Sequence, residues 1–212
     1  MELNLITILE YLGTYAFAIS GIRMASDKKF DWLGAYVIGL ITATGGGTIR
    51  DVMLKKTPFW ILDPSYLIIT GVALLSYILF GKYFNHIRRT LFLFDSIGLG
   101  LFVMVGIEKT LSLSFPFWVA VIMGTITGCV GGIMRDVLVN EPPLIFRKDI
   151  YALTCIIGGA VYFICRKIGF VEPFTNIIVP MVIILLRVIA VRKNISVPSG
   201  AVDITTEPKG PY

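Results

Sequence analysis

Charge is what this sequence most lacks: 16% of its 212 residues are Asp, Glu, Lys or Arg, while 56% are hydrophobic. A soluble domain carries about 25% charged and 45–50% apolar residues. So few charges cannot cover so apolar a chain in water, and the mean hydropathy of +0.81 points to lipid as the solvent. Histidine is reduced to His86. With no second His or Cys nearby, neither a metal site nor a cofactor is expected. Cys129, Cys155 and Cys165 are odd in number, lack metal spacing and sit inside apolar runs, so buried free thiols are expected. No Ser or Cys nucleophile has an evident base, which argues against an enzyme. The formal charge of +5 is not a nucleic-acid signature, because Lys and Arg fall in short gaps between apolar runs. The start Met1-Glu2 lacks a basic n-region and a small-residue cleavage site, so no removable signal peptide is expected.

What is present is a series of apolar runs, each near the roughly 20 residues that cross a bilayer. Spans are predicted at Leu5–Met24, Trp32–Leu54, Pro64–Lys82, Leu91–Lys109, Phe117–Val139, Ile150–Lys167 and Pro173–Val191. Loop punctuation separates them: Asp27-Lys28-Lys29, Lys55-Lys56-Thr57-Pro58, His86-Ile87-Arg88-Arg89 and Glu141-Pro142-Pro143. Residues 1–192 form one transmembrane domain, and 193–212 read as a disordered polar tail.

Sliding the chain over itself by 85 positions aligns Gly13 with Gly98, Phe17 with Phe102, Gly39 with Gly124 and Thr42 with Thr127. The same register aligns Gly46-Gly47 with Gly131-Gly132, Arg50-Asp51-Val52 with Arg135-Asp136-Val137, and Tyr66 with Tyr151. Chance does not supply shared Gly, Arg-Asp and Tyr at one constant offset. Repeat one covers 5–82, repeat two 90–167, and the helix over 173–191 has no counterpart. Three spans per unit return the chain to the opposite face, so the second unit is inverted. The expected fold is therefore all-α, seven transmembrane helices built as an inverted 3+3 repeat plus one. Lys and Arg divide ten against five between the two faces, which puts the N-terminus outside and the C-terminus in the cytoplasm.

The strongest local signal is Thr42 through Asp51, with Gly45, Gly46, Gly47, Thr48 and Arg50 inside it, and its echo Thr127 through Asp136, with Gly131, Gly132 and Arg135. Consecutive glycines predict a kink or an unwound stretch that frees peptide groups beside a polar passage. Close packing through a small-xxx-small ridge, Gly124-Gly128-Gly132, is the alternative. Adjacent helical residues do not face each other, so crossed pairs Arg50–Asp136 and Arg135–Asp51 are expected, with snorkelling at helix ends as the alternative. Glu10 and Asp95 share a repeat position and are candidates for cation-attracting vestibules, against capping or an interfacial place. Arg187, inside the last span, needs a partner or water and is a weaker candidate.

At these residues the sequence resembles the prokaryotic trimeric intracellular cation channels. The resemblance rests on the duplicated three-helix unit, Gly45 through Asp51, its copy Gly131 through Asp136, and the added last span. It implies a homotrimer with one pore per subunit beside the second and fifth spans, passing potassium and also sodium in a bacterial or archaeal cell membrane. Permeant ions, membrane lipid and the chain itself are then its only partners. Val130 stands where the first copy has Gly45, and the lysine-containing pore motif of the animal members is not evident. Related bacterial domains carry a glycine-transporter label, so carriage of a small zwitterion such as glycine is the second reading.

Overall fold

The computed structural model describes residues 4–86, 90–146, 150–193 and 195. They form eight α-helices: α1 Leu5–Asp27, α2 Trp32–Met53, α3 Phe59–Leu62, α4 Ser65–His86, α5 Thr90–Leu111, α6 Phe117–Leu138, α7 Tyr151–Ile168 and α8 Glu172–Arg192, with a 3-10 turn at Leu144–Phe146. The seven predicted spans coincide with the seven long helices to within a few residues; α3 and the 3-10 turn were not anticipated. Six helices are long and apolar enough to cross a membrane, and in α4 the apolar run is the shorter Ser65–Gly81. The protein is an all-helical membrane protein. The tail from Asn194 (Ile195 apart) and the basic residues Arg88, Arg89, Arg147 and Lys148 lie outside the described residues.

Helix ends follow local chemistry. Asp31 starts α2 by accepting from the Gly34 amide at 2.6 Å, which satisfies one of the free donors of a first turn. Gly169, at φ +90°, ends α7 in the left-handed conformation that glycine tolerates. Among the described residues four non-glycines take positive φ, and they come in register: Lys29 with Ser114 at 61°, Lys55 with Asn140 at 56°. The repeat is thus legible in the backbone as well as the sequence.

The core is the bundle of α1, α2, α5 and α6, with α4, α7 and α8 packed outside it. Phe17 stacks on its repeat counterpart Phe102, ring centres 5.3 Å apart, at the middle of this bundle. Around it the contacts are reciprocal. A Cβ on Gly46 would overlap the Thr127 carbonyl, and a Cβ on Gly131 would overlap the Thr42 carbonyl. Because 42 faces 131 while 46 faces 127, α2 and α6 cross antiparallel. Their C-terminal ends, and the Arg-Asp pairs on them, therefore point in opposite directions.

The glycines do not unwind the helices. Both α2 and α6 run unbroken through Gly45–Gly47 and Gly131–Gly132. The magnitudes account for this correction: glycine costs a helix about 1 kcal/mol relative to alanine, whereas a peptide group left unbonded in hydrocarbon costs several. The chain retains its hydrogen bonds and uses the absent side chains for contact, the packing alternative.

Candidate functional site

Each Arg-Asp pair sits in the last turn of its helix and pairs within itself. Arg50 Nε donates to Asp51 Oδ1 at 2.8 Å, with Nη2 at 2.7 Å from the same oxygen. Arg135 holds Asp136 Oδ1 in the same way, both contacts at 2.8 Å. The remaining carboxylate oxygen accepts an amide from the following segment: Phe59 N on Asp51 at 3.0 Å, Leu144 N on Asp136 at 2.9 Å. Each Asp thus ties a buried guanidinium to the connection that follows its helix.

The crossed pairs expected from sequence are corrected. The antiparallel crossing places Arg50 and Asp136 on opposite sides of its centre, roughly 20 Å apart along the axes at 1.5 Å per residue. A long Arg side chain folds back onto its neighbour instead. Nor do these groups snorkel, since Arg50 and Arg135 are both 0% exposed.

The two ends then differ. Arg135 Nη1 donates to Asp95 Oδ1 at 2.7 Å and to the Ser20 hydroxyl at 2.9 Å. Asp95 also lies 3.4 Å from Arg187 Nη2 of α8. In the first unit the counterpart of Asp95 is Glu10, and Lys109 of α5 holds it at 2.6 Å, with the Tyr66 hydroxyl donating at 2.8 Å. Position 105, the counterpart of Ser20, is Val105. Arg50 Nη1 accordingly finds no hydrogen-bond partner among the described residues, and its guanidinium lies 5.8 Å from the Phe59 ring centre.

Glu10 and Asp95 are 2% and 0% exposed. Both are closed inside ion pairs, not open vestibules; the pairing cations Lys109 and Arg187 neutralise them because a bare carboxylate at that depth is too costly. Lys109, still partly exposed, borders a recess of about 180 Å³ with Asp51, Lys56 and Ser112.

Of the other predicted residues, Thr42, Gly46, Thr127 and Gly131 meet at the crossing. Gly45 faces the Met134 sulfur and Gly47 the Phe59 ring, while Gly132 leaves room for the Tyr151 hydroxyl. The hydroxyls of Thr42, Thr48 and Thr127 donate back to carbonyls one turn earlier, and Thr48 accepts from Trp60 Nε1 at 3.0 Å. They leave lone pairs, not donors, for a passing solute. Sequence reasoning missed Ser20, Tyr66, Phe59 and the pairing role of Lys109. The signal was in the register: Ser20 against Val105 and Met24 against Lys109 are polar-for-apolar mismatches in an otherwise matched repeat.

A family profile described as glycine transporter matches the chain twice, over residues 7–82 and 92–167. An inner membrane protein of Escherichia coli K12, UPF0126 inner membrane protein YadS, is 39% identical over 92% of this chain and 96% of its own length. A crystal structure of the TRIC trimeric intracellular cation channel orthologue from Rhodobacter sphaeroides superposes with a TM-score of 0.81 at 32% identity, covering 90% of this chain and 98% of that one. A second structure, described under conductance through TRIC cation channels, gives 0.80 at 37% identity, covering 92% and 97%.

Proposed function

Starting from the chain's membership of the family of prokaryotic TRIC channels, whose repeated domain bears the glycine-transporter description, we propose that it is a passive channel for monovalent cations. Its solved relatives are channels, not enzymes, and a cation channel is the reading they support. Potassium is the main permeant ion and sodium a second. One path runs through each subunit of a homotrimer, along α2 and α6. All seven long helices cross the membrane, the second unit inverted against the first, with the N-terminus outside and the C-terminus in the cytoplasm.

The observation that carries this reading is the pair of buried charge clusters at opposite ends of the antiparallel α2–α6 crossing. Arg50-Asp51 with Glu10-Lys109 stands at one end and Arg135-Asp136 with Asp95-Arg187 at the other. Each Arg beside the path is neutralised by its own Asp, so a fixed positive charge does not repel the cation. Between the ends the helices touch at Gly46–Thr127 and Thr42–Gly131. The described conformation is closed there, and conduction requires α2 and α6 to part at that contact.

Purified protein in planar bilayers tests the reading. Stepwise unitary currents in potassium chloride, reversing near the potassium equilibrium potential under a salt gradient, are expected. Saturable glycine exchange without unitary currents overturns it and installs the second reading, a glycine carrier. That reading draws on the family description and on the guanidinium–carboxylate pairs, which match the two charges of a zwitterion.

A further inference from the structure

The connection that follows α2 folds back against the bundle. Within it α3 is a single turn between Pro58 and Asp63-Pro64. It is fastened at both ends: Phe59 N donates to Asp51 Oδ2 at 3.0 Å, Trp60 Nε1 to the Thr48 hydroxyl at 3.0 Å, and the Tyr11 hydroxyl to Asp63 Oδ2 at 2.8 Å. Its outer residues Ile61 and Leu62 are 58% and 72% exposed, whereas Phe59 is 7% exposed. A short strap thus carries one inward ring.

That ring fills the gap between α2, α4 and α5. A Cβ on Gly47 would overlap it, Tyr66 meets it edge-on with ring centres 4.4 Å apart, and Lys109 Nζ stands 5.2 Å from its centre. The second unit shows the same place without a ring. The atoms nearest a Cβ on Gly132 are the Tyr151 hydroxyl, Asp95 Oδ1 and Arg135 Nη2, and the residue in register with Phe59 is the half-buried Leu144. There the glycine face of the helix meets polar groups; at Gly47 an apolar ring keeps them apart. Lys109 also lines the recess of about 180 Å³ with Asp51, Leu54 and Lys56. With Gly47 at its edge and Lys109 over its face, the ring separates that recess from the crossing at Gly46. An apolar constriction stops ions because it offers nothing in place of their hydration.

We propose that Phe59 is the plug of the α2–α6 path at this end, and that α3 is the strap that withdraws it when the path opens. The inference rests on the conduction reading and adds its regulation: the helices part at Gly46–Thr127 and the ring leaves Gly47 together. The unequal ends explain why the plug is here. Arg135 ties α6 to α5 through Asp95 and to α1 through Ser20, whereas Arg50 holds Asp51 of its own helix and, through it, the strap. The end of α2 is the one free to move, and the strap moves with it.

Single-channel recordings of purified full-length protein in planar bilayers, in symmetric potassium chloride at fixed voltage, test it, with detergent melts of each variant alongside. Phe59→Ala is expected to raise open probability about tenfold, because the ring contact it removes is made in the closed state alone. Trp60→Phe keeps the Phe59 ring and removes the indole bond to Thr48; a rise of about fivefold is expected, the worth of one such bond. A ring that merely packs the core would lower the melting temperature and leave open probability at the parent's value. Open probability unchanged or lowered in both variants, from a parent that conducts, overturns the plug and leaves the conduction reading standing. Where Phe59→Ala does not fold, Trp60→Phe alone decides. Currents from Phe59→Ala beside a silent parent support the plug, whereas silence of the parent and both variants overturns the conduction reading and the plug with it.

Discussion

The two arginines that share a repeat position are not energetically alike. Arg135 satisfies Asp136, Asp95 and Ser20, whereas Arg50 is held by Asp51 alone. Removing one partner from a buried ion pair costs about 3–5 kcal/mol, because the carboxylate left behind stays charged and unpaired. Arg135→Met strands Asp136 and leaves Asp95 only the 3.4 Å approach of Arg187, whereas Arg50→Met strands Asp51 alone. Arg135→Met is therefore expected to lose most of its monodisperse, folded yield, while Arg50→Met survives with a lowered melting temperature. Detergent-solubilised size-exclusion profiles and melts of the two variants decide it. Equal losses would mean that the extra partners of Arg135 contribute nothing.

At the scale of the helices, contact and propensity oppose each other. Gly46→Ala gains helix propensity but drives a methyl into the Thr127 carbonyl, and overpacking of that kind costs about 1–3 kcal/mol. Gly71 in α4 has nothing within 4 Å of an added Cβ, so Gly71→Ala is expected to stabilise by about 0.5–1 kcal/mol. Opposite shifts in melting temperature for the two variants are the expected result. The connection before α4 titrates. Asp63 Oδ1 accepts from the Ser65 amide at 2.9 Å and Oδ2 from the Tyr11 hydroxyl at 2.8 Å. The donors of Ser65 hold its carboxyl below the usual range, with burial opposing weakly. A depressed folded value means stability present above the ordinary pKa of about 4 and lost as pH falls through the folded value. The deficit of Asp63→Asn against the parent chain is expected at neutral pH and should vanish in melts taken well below pH 4.

The seven long helices and their limits were legible in the sequence because hydrophobic length is what lipid selects for, whereas the short α3 and the 3-10 turn were not. The repeat was legible because Gly, Arg-Asp and Tyr recur at one offset. Two things were hidden. Whether Gly45–Gly47 unwind depends on what stands opposite, and only the Thr127 carbonyl against Gly46 shows that their role is approach. The partner of Arg50 depends on which way two helices run past each other. Local sequence does not state that, although the inversion inferred from the repeat already implied opposite ends.

For the whole molecule, the trimer proposed above predicts a protein mass of three times 23.5 kDa, about 70 kDa, by light scattering with the detergent contribution subtracted. A monomeric particle that still gives unitary currents would remove the trimer and keep the pore within the single chain.

The appended helix has a bearing on how such a molecule arises. Asp95 leans on Arg187, a residue supplied from beyond the duplicated region, while Glu10 leans on Lys109 from the sister half. The halves have become unequal creditors of charge. Two copies of the first half would leave Glu10 facing methionine where Lys109 now stands, and two of the second would lack Ser20 for Arg135. A single gene for a self-pairing three-helix ancestor is thus no longer recoverable by cutting this one in two.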